Sequence, residues 1–127
     1  MSTPAEHPSA EDLRQVVDPS PIPLLEQTRR QDKTWDRLAP QYGVTNADPP
    51  WKTSLDATCE SLGAHGALDP VERRQAEDQL AATVYRDIPQ PERQLLALAH
   101  TMLRRGLLTE DDLKRRMDAI RARLEAA

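Results

Sequence analysis

Between Trp51 and Leu124 the apolar residues recur at steps of three and four, and each such run is set off from the next by proline or glycine. That period lines side chains along one face of a helix, and punctuation this frequent keeps each helix short. Trp51, Leu55, Cys59 and Leu62 make the first run, which Gly63 and Gly66 end. Asp69-Pro70-Val71-Glu72 opens the second with an Asp cap, a proline at the first helical position and a glutamate at the third able to turn back onto the cap. This second helix is expected to reach about Tyr85. Pro89 and Pro91 break the chain before a third helix over 92–105, striped by Leu95, Leu96, Ala99, Met102 and Leu103. Gly106 stops it after Arg104-Arg105, joining a left-handed-tolerant residue to cations at the negative helix end. The fourth starts at Thr109, with Asp112 three residues on, and aligns Leu113, Met117, Ile120 and Leu124 on one stripe. No strand period, internal repeat or sustained heptad is present. The pattern predicts an all-α fold, a small bundle of about four antiparallel helices over residues 49–127.

Residues 1–48 read differently. Eight of the eleven prolines fall in the first fifty positions, phenylalanine is absent, aromatics are 3% and charged residues 30%. Ser9 can cap a short helix over 10–17, and a second candidate runs over 24–38, with Pro23 at its start and Pro40 ending it. Leu25, Trp35 and Leu38 are the apolar residues of that second helix, and its middle, 26–34, is almost wholly polar. Such a segment is expected to form a Pro-rich N-terminal arm that is extended, or ordered only against another chain.

The net charge is −4, and the cations are interleaved with acids in Glu72-Arg73-Arg74 and Asp112-Leu113-Lys114-Arg115-Arg116. That mixing leaves no continuous positive face, so nucleic acid is not an expected partner. The single cysteine, Cys59, excludes an internal disulfide framework, and no apolar run before residue 30 suits a signal peptide or membrane span. A cytoplasmic protein with no membrane partner is the expectation. One cysteine and three isolated histidines supply no ligand cluster for a metal. Cys59, on an apolar stripe, reads as a buried structural thiol, and His65 and His100 read as structural histidines. The four glycines are scattered at helix ends, so no nucleophile elbow, phosphate loop or dinucleotide fingerprint is available, and the chain is not expected to be an enzyme by itself. Arg73 and Arg74 stand out, because cations in the first turns of a helix oppose its dipole. Solvated surface charges explain one of them; a guanidinium aimed at a partner's anionic site, where its planar fork binds in a bidentate way, is the sharper alternative.

The segment from Trp51 to Leu113 resembles the helical N-terminal region of nitrile hydratase beta subunits. In that family a Trp-led amphipathic helix is followed by a Gly-Ala/Asn-Phe turn and a second helix. An aromatic pair with a Glu-Arg or Glu-His step comes next, and the region ends in Gly-Leu-Leu/Val-Thr-x-x-Glu-Leu. This chain supplies Trp51, then Gly66-Ala67-Leu68, then Pro91-Glu92-Arg93, and finally Leu103-Arg104-Arg105-Gly106-Leu107-Leu108-Thr109-Glu110-Asp111-Asp112-Leu113. The spacing from Glu92-Arg93 to Gly106-Leu107-Leu108-Thr109 agrees without a gap, and about half the chain is covered. Two departures are clear: Gln90-Pro91 stands where the tyrosine pair belongs, and no C-terminal SH3-like barrel is expected in a chain ending at Ala127.

What the resemblance implies is a metal-free subunit. In the family the cobalt or iron lies in the alpha subunit, in a Cys-rich claw with oxidised cysteines, and a beta-subunit arginine hydrogen-bonds the oxidised sulfurs. Aligned from Gly66-Ala67-Leu68, that arginine is Arg74, and a one-residue slip selects Arg73. Trp35, Trp51, Arg73, Glu92 and Arg93 are the candidate interface residues toward the metal-bearing alpha subunit. The missing barrel implies a hetero-oligomer with a separate SH3-like barrel subunit, in an enzyme of nitrile hydratase or thiocyanate hydrolase type. An accessory protein that delivers cobalt or iron to the alpha subunit by subunit exchange is a second implication. A helical adaptor without any link to nitriles is the alternative from another class.

Overall fold

A computed structural model describes residues 16–44 and 48–126. The fold is all-α, with six α-helices among those residues: α1 (Pro23–Arg29), α2 (Trp35–Leu38), α3 (Lys52–Ala64), α4 (Pro70–Ala82), α5 (Glu92–Arg104) and α6 (Glu110–Ala126). A 3-10 turn, Ala39–Tyr42, continues α2. The expected helix over 10–17 lies outside the described residues but for Val16 and Val17, which are not helical.

The four helices past Trp51 form where the punctuation puts them. Asp69 caps α4 by accepting the Val71 and Glu72 N–H groups at 3.1 Å each, and Thr109 Oγ1 accepts the Asp112 N–H at 3.1 Å to open α6. Three details differ from the sequence reading. Glu72 does not turn back onto its cap; its Oε2 lies 2.6 Å from Arg105 Nη2, tying the start of α4 to the end of α5. And α4 stops at Ala82, so that the turn after it swings Tyr85 inward. Gly63 does not end α3 but lies within it, where an added Cβ would meet Pro70 Cγ at 3.1 Å; the glycine lets α3 approach the start of α4 closely.

Helix α5 is the centre of the molecule and is covered on two sides. Leu96 and Ala97 join Val17, Ile22, Leu25, Ala76, Leu80 and Tyr85 in one cluster. Leu98 joins Leu55, Cys59 and Leu68 in a second, with Trp51, Leu62 and Met102 packed against it. The single stripe read from the sequence is thereby corrected: Leu95 is exposed, whereas Ala97, Leu98, His100 and Thr101 are buried.

The reason is the N-terminal arm. Instead of waiting for another chain, its described part supplies Val17, Ile22, Leu24 and Leu25 to the interior. Fully burying a side chain of this size is worth about 2 kcal/mol, so four anchors suffice to hold a segment otherwise rich in proline and charge. Arg29 fixes its position. Its Nη1 donates to the Val84 carbonyl at 2.7 Å, and its Nη2 reaches both Asp87 carboxylate oxygens at 2.7 and 2.6 Å. The continuous helix expected over 24–38 is broken at Asp32, which takes a left-handed φ of 53°, a conformation that a short polar side chain tolerates better than most. The chain therefore turns back, and Trp35 stacks on Tyr42 with centroids 6.2 Å apart.

The stripe of α6 is covered only at its start. Leu113 packs against the first cluster and Met117 is half-buried, but Ile120 and Leu124 are 44% and 71% exposed, and no residue of the helix is buried.

Candidate functional site

Two of the candidate interface residues, Trp51 and Glu92, line one open groove of about 530 Å³. Trp51, Glu92, Leu95 and Asp87 line it from one side, and the segment from Thr28 to Arg37 lines it from the other. Glu92 organises this junction: its Oε2 accepts the backbone N–H of Trp35 at 2.6 Å, which holds α2 against the first turn of α5. The other oxygen of Glu92, Oε1, is buried without a hydrogen-bond partner among the described residues, as is Nε of Arg93. Trp35, Trp51 and Glu92 are thus brought together, with Arg93 next to them in sequence.

Arg73 and Arg74 part company on α4. Arg73 is half-buried in an ion pair with Glu77 and lines a second cleft with Asp56, Cys59, Glu60 and Gln94. Arg74 lines neither cleft; its side chain is 76% exposed, and its one ion-pair partner among the described residues is Asp78, at 3.7 Å. Neighbours four apart on a helix diverge by little, but residues one apart point about 100° apart, which is why these two arginines serve different surfaces.

The titratable groups in the interior are arranged for structure. Burial pushes the Cys59 thiol up, and the opposing field of Arg73 does not overcome it. His100 and Tyr85 are fully buried and bonded to each other, Tyr85 Oη to His100 Nδ1 at 2.7 Å. His100 Nε2 donates to the Asp18 carbonyl at 2.7 Å. Desolvation lowers the histidine's pKa and raises the tyrosine's, so both stay neutral. A ring sealed in this way meets no solvent-borne substrate. Its role is to pin the arm onto α5.

Among the described residues, no group of three His, Cys, Asp or Glu side chains could hold a metal ion. No helix among them is long and apolar enough to cross a membrane. The accessible features are therefore surfaces: the groove at Trp51 and Glu92, the outward Arg74, and the exposed half of α6. The sequence reading missed Arg29, whose contacts to Val84 and Asp87 lie 55 and 58 residues away. Only the polar composition of 26–34 hinted that Arg29 faces a loop. Comparison with family models, with curated proteins and with solved structures finds no match for this chain.

Proposed function

We propose that the chain is the metal-free small subunit of a heteromeric enzyme of nitrile hydratase or thiocyanate hydrolase type, which in the nitrile case hydrates a nitrile to an amide. It docks on a metal-bearing alpha subunit in the cytoplasm, beside a separate SH3-like barrel chain. The observation that carries this reading is the contrast on α4: Arg74 is exposed and loosely paired, free to fork onto an anionic group, whereas Arg73 is occupied by Glu77. The matched segment adds to it, since Gly106 lies at the end of α5 with a positive φ and Thr109 opens α6. The cobalt or iron belongs to the alpha subunit and supplies the Lewis-acid chemistry there. This chain's part is to present Arg74 to the oxidised sulfurs of the partner's claw and to close the cleft around them with Trp35, Trp51, Glu92 and Arg93.

The test is co-expression with an alpha subunit of that family, followed by Arg74→Ala and Arg73→Ala. Arg74→Ala is expected to leave the complex assembled and to cut activity by at least tenfold. A chain that stays monomeric and indifferent to the alpha subunit, or an Arg74→Ala complex with full activity, removes the proposal. Retention of the chain in the mature, active enzyme marks a permanent subunit; its loss after metal loading marks an activator instead.

A further inference from the structure

Helix α6 begins anchored and ends free. Thr109 caps it, Glu110 Oε2 accepts the Leu24 N–H at 3.0 Å, and Leu113 packs on the core. From Asp118 to Ala126 every residue is exposed. Asp118 and Arg121 border a small cleft facing Gln27, Thr28 and Gln31, and nothing covers Ile120 or Leu124; a helix end so little packed is marginal in water, since most helical stability in proteins comes from packing one face.

That face is present. At 100° per residue, Leu113, Met117, Ile120 and Leu124 fall within an arc of about 60°, at the four-three-four spacing of a coiled-coil seam, and span about 16 Å along the axis. The positions bordering the seam are Lys114 and Arg121 on one side and Arg116 and Arg123 on the other, so all four are cations. Glu110 also falls on the Lys114 side, beside Leu113, where it is held by the Leu24 N–H; the other acids lie farther round, where Asp118 draws Lys114 at 2.6 Å and Asp112 pairs with Arg115. Arg116 and Arg123 form no ion pair among the described residues.

We infer that α6 is a docking helix for an amphipathic helix of another protein, one whose apolar stripe is bordered by Asp or Glu. Charge decides the occupant. A second copy of this chain would set cation against cation in either orientation, because both borders of the exposed part, Arg116 and Arg123 on one side and Arg121 on the other, carry the same sign. An anionic membrane is the wrong fit: the five acids and five bases between Glu110 and Ala126 cancel, the chain as a whole is at −4, and an arc of 60° is too narrow for interfacial burial. A narrow seam between two basic borders matches a helix with acidic borders. Through Leu113 the seam continues into an apolar groove lined by Trp51, Leu55, Leu95, Leu98 and Met102, which lengthens the surface available to that helix. The inference does not rest on the enzyme class proposed above, since Arg74 lies on α4 and takes no part.

The experiment uses the full chain and two labelled three-heptad peptides, with Ile and Leu on the seam and either Glu or Lys at every bordering position. Fluorescence anisotropy is expected to show the Glu peptide binding at least tenfold tighter than its Lys twin, a difference of about 1.4 kcal/mol. Arg116→Glu/Arg121→Glu/Arg123→Glu should reverse the preference. Ile120→Ser/Leu124→Ser should abolish binding while the circular dichroism melt of the core stays in place, since both side chains are exposed. Equal binding of the two peptides overturns the inference, as does binding that survives Ile120→Ser/Leu124→Ser. Concentration-dependent dimerisation abolished by that variant, or its loss of binding to phosphatidylcholine–phosphatidylglycerol vesicles, equally overturns it by naming a different occupant.

Discussion

Removing one hydroxyl, in Tyr85→Phe, probes how the arm is held. The Asp18 carbonyl can only accept, so the hydrogen at 2.7 Å sits on His100 Nε2. A neutral ring then has its lone pair at Nδ1, and Tyr85 Oη donates to it across 2.7 Å, with the two rings edge-on at 83°. Phenylalanine keeps the ring in place but leaves Nδ1 buried without a donor, which costs about 1–3 kcal/mol. At about 4 °C per kcal/mol for a chain of this size, Tm should fall by about 4–12 °C. The same geometry sets a pH dependence. Burial depresses the folded histidine below its ordinary 6.5, so the unfolded chain takes up the proton first. The contribution of His100 is therefore complete above that value and is lost as pH falls from it toward the lowered folded value. Urea melts followed by circular dichroism at about pH 7.5 and about pH 5.5 measure both effects. His100→Gln, which can still donate and accept but does not titrate, should flatten the dependence in that window. A Tyr85→Phe cost under about 0.5 kcal/mol, or a parent protein equally stable at both pH values, refutes the argument.

Three further outcomes follow from packing and charge. Ile22→Ala and Leu25→Ala should each cost about 2–4 kcal/mol in thermal or urea melts, while Leu124→Ala, at an exposed position, stays within about 0.5 kcal/mol; equal costs at all three would mean the arm is not part of the core. Cys59 should react slowly with Ellman's reagent in the native protein, because burial both shields the thiol and raises its pKa, and quickly in urea; prompt native reaction contradicts the packing of α3. Arg29→Lys should destabilise by about 1–2 kcal/mol, since an ammonium cannot span both Asp87 oxygens and the Val84 carbonyl, and a variant as stable as the parent would show the fork to be idle.

How much could be read beforehand depended on whether the cause was local. Asp69-Pro70, Gly106 and Thr109 act within a turn of themselves, and the helices they bound are where those residues put them. The break at Asp32 was hidden because its neighbours have adequate helix propensity, and a left-handed aspartate is selected by what Arg29 and Trp35 reach on either side of it. Burial of the arm was hidden for a related reason: Val17, Ile22 and Leu25 follow no helical period, so only the tertiary surface they meet makes them a face. The arginine pair was legible as a pair, but its division into a bound Arg73 and an outward Arg74 required the position of Glu77 and the packing of α3 against α4. The His100 bond to Asp18 spans 82 residues and has no sequence signature at all.

The exposed half of α6 and the buried arm are two consequences of one shortage of surface. Helices α4 and α5 offer a limited apolar area, and two amphipathic segments compete to cover it. The arm reaches it with Val17, Ile22 and Leu25, and is locked there by Arg29 and by the His100 bond to Asp18. Helix α6 gains only Leu113 and a half-buried Met117, and the bond from Leu24 N–H to Glu110 fixes its start beside the arm. A chain with 3% aromatics and no phenylalanine has no larger core with which to absorb the remainder. Ile120 and Leu124 are left over for that reason, and their basic borders determine which kind of helix can cover them.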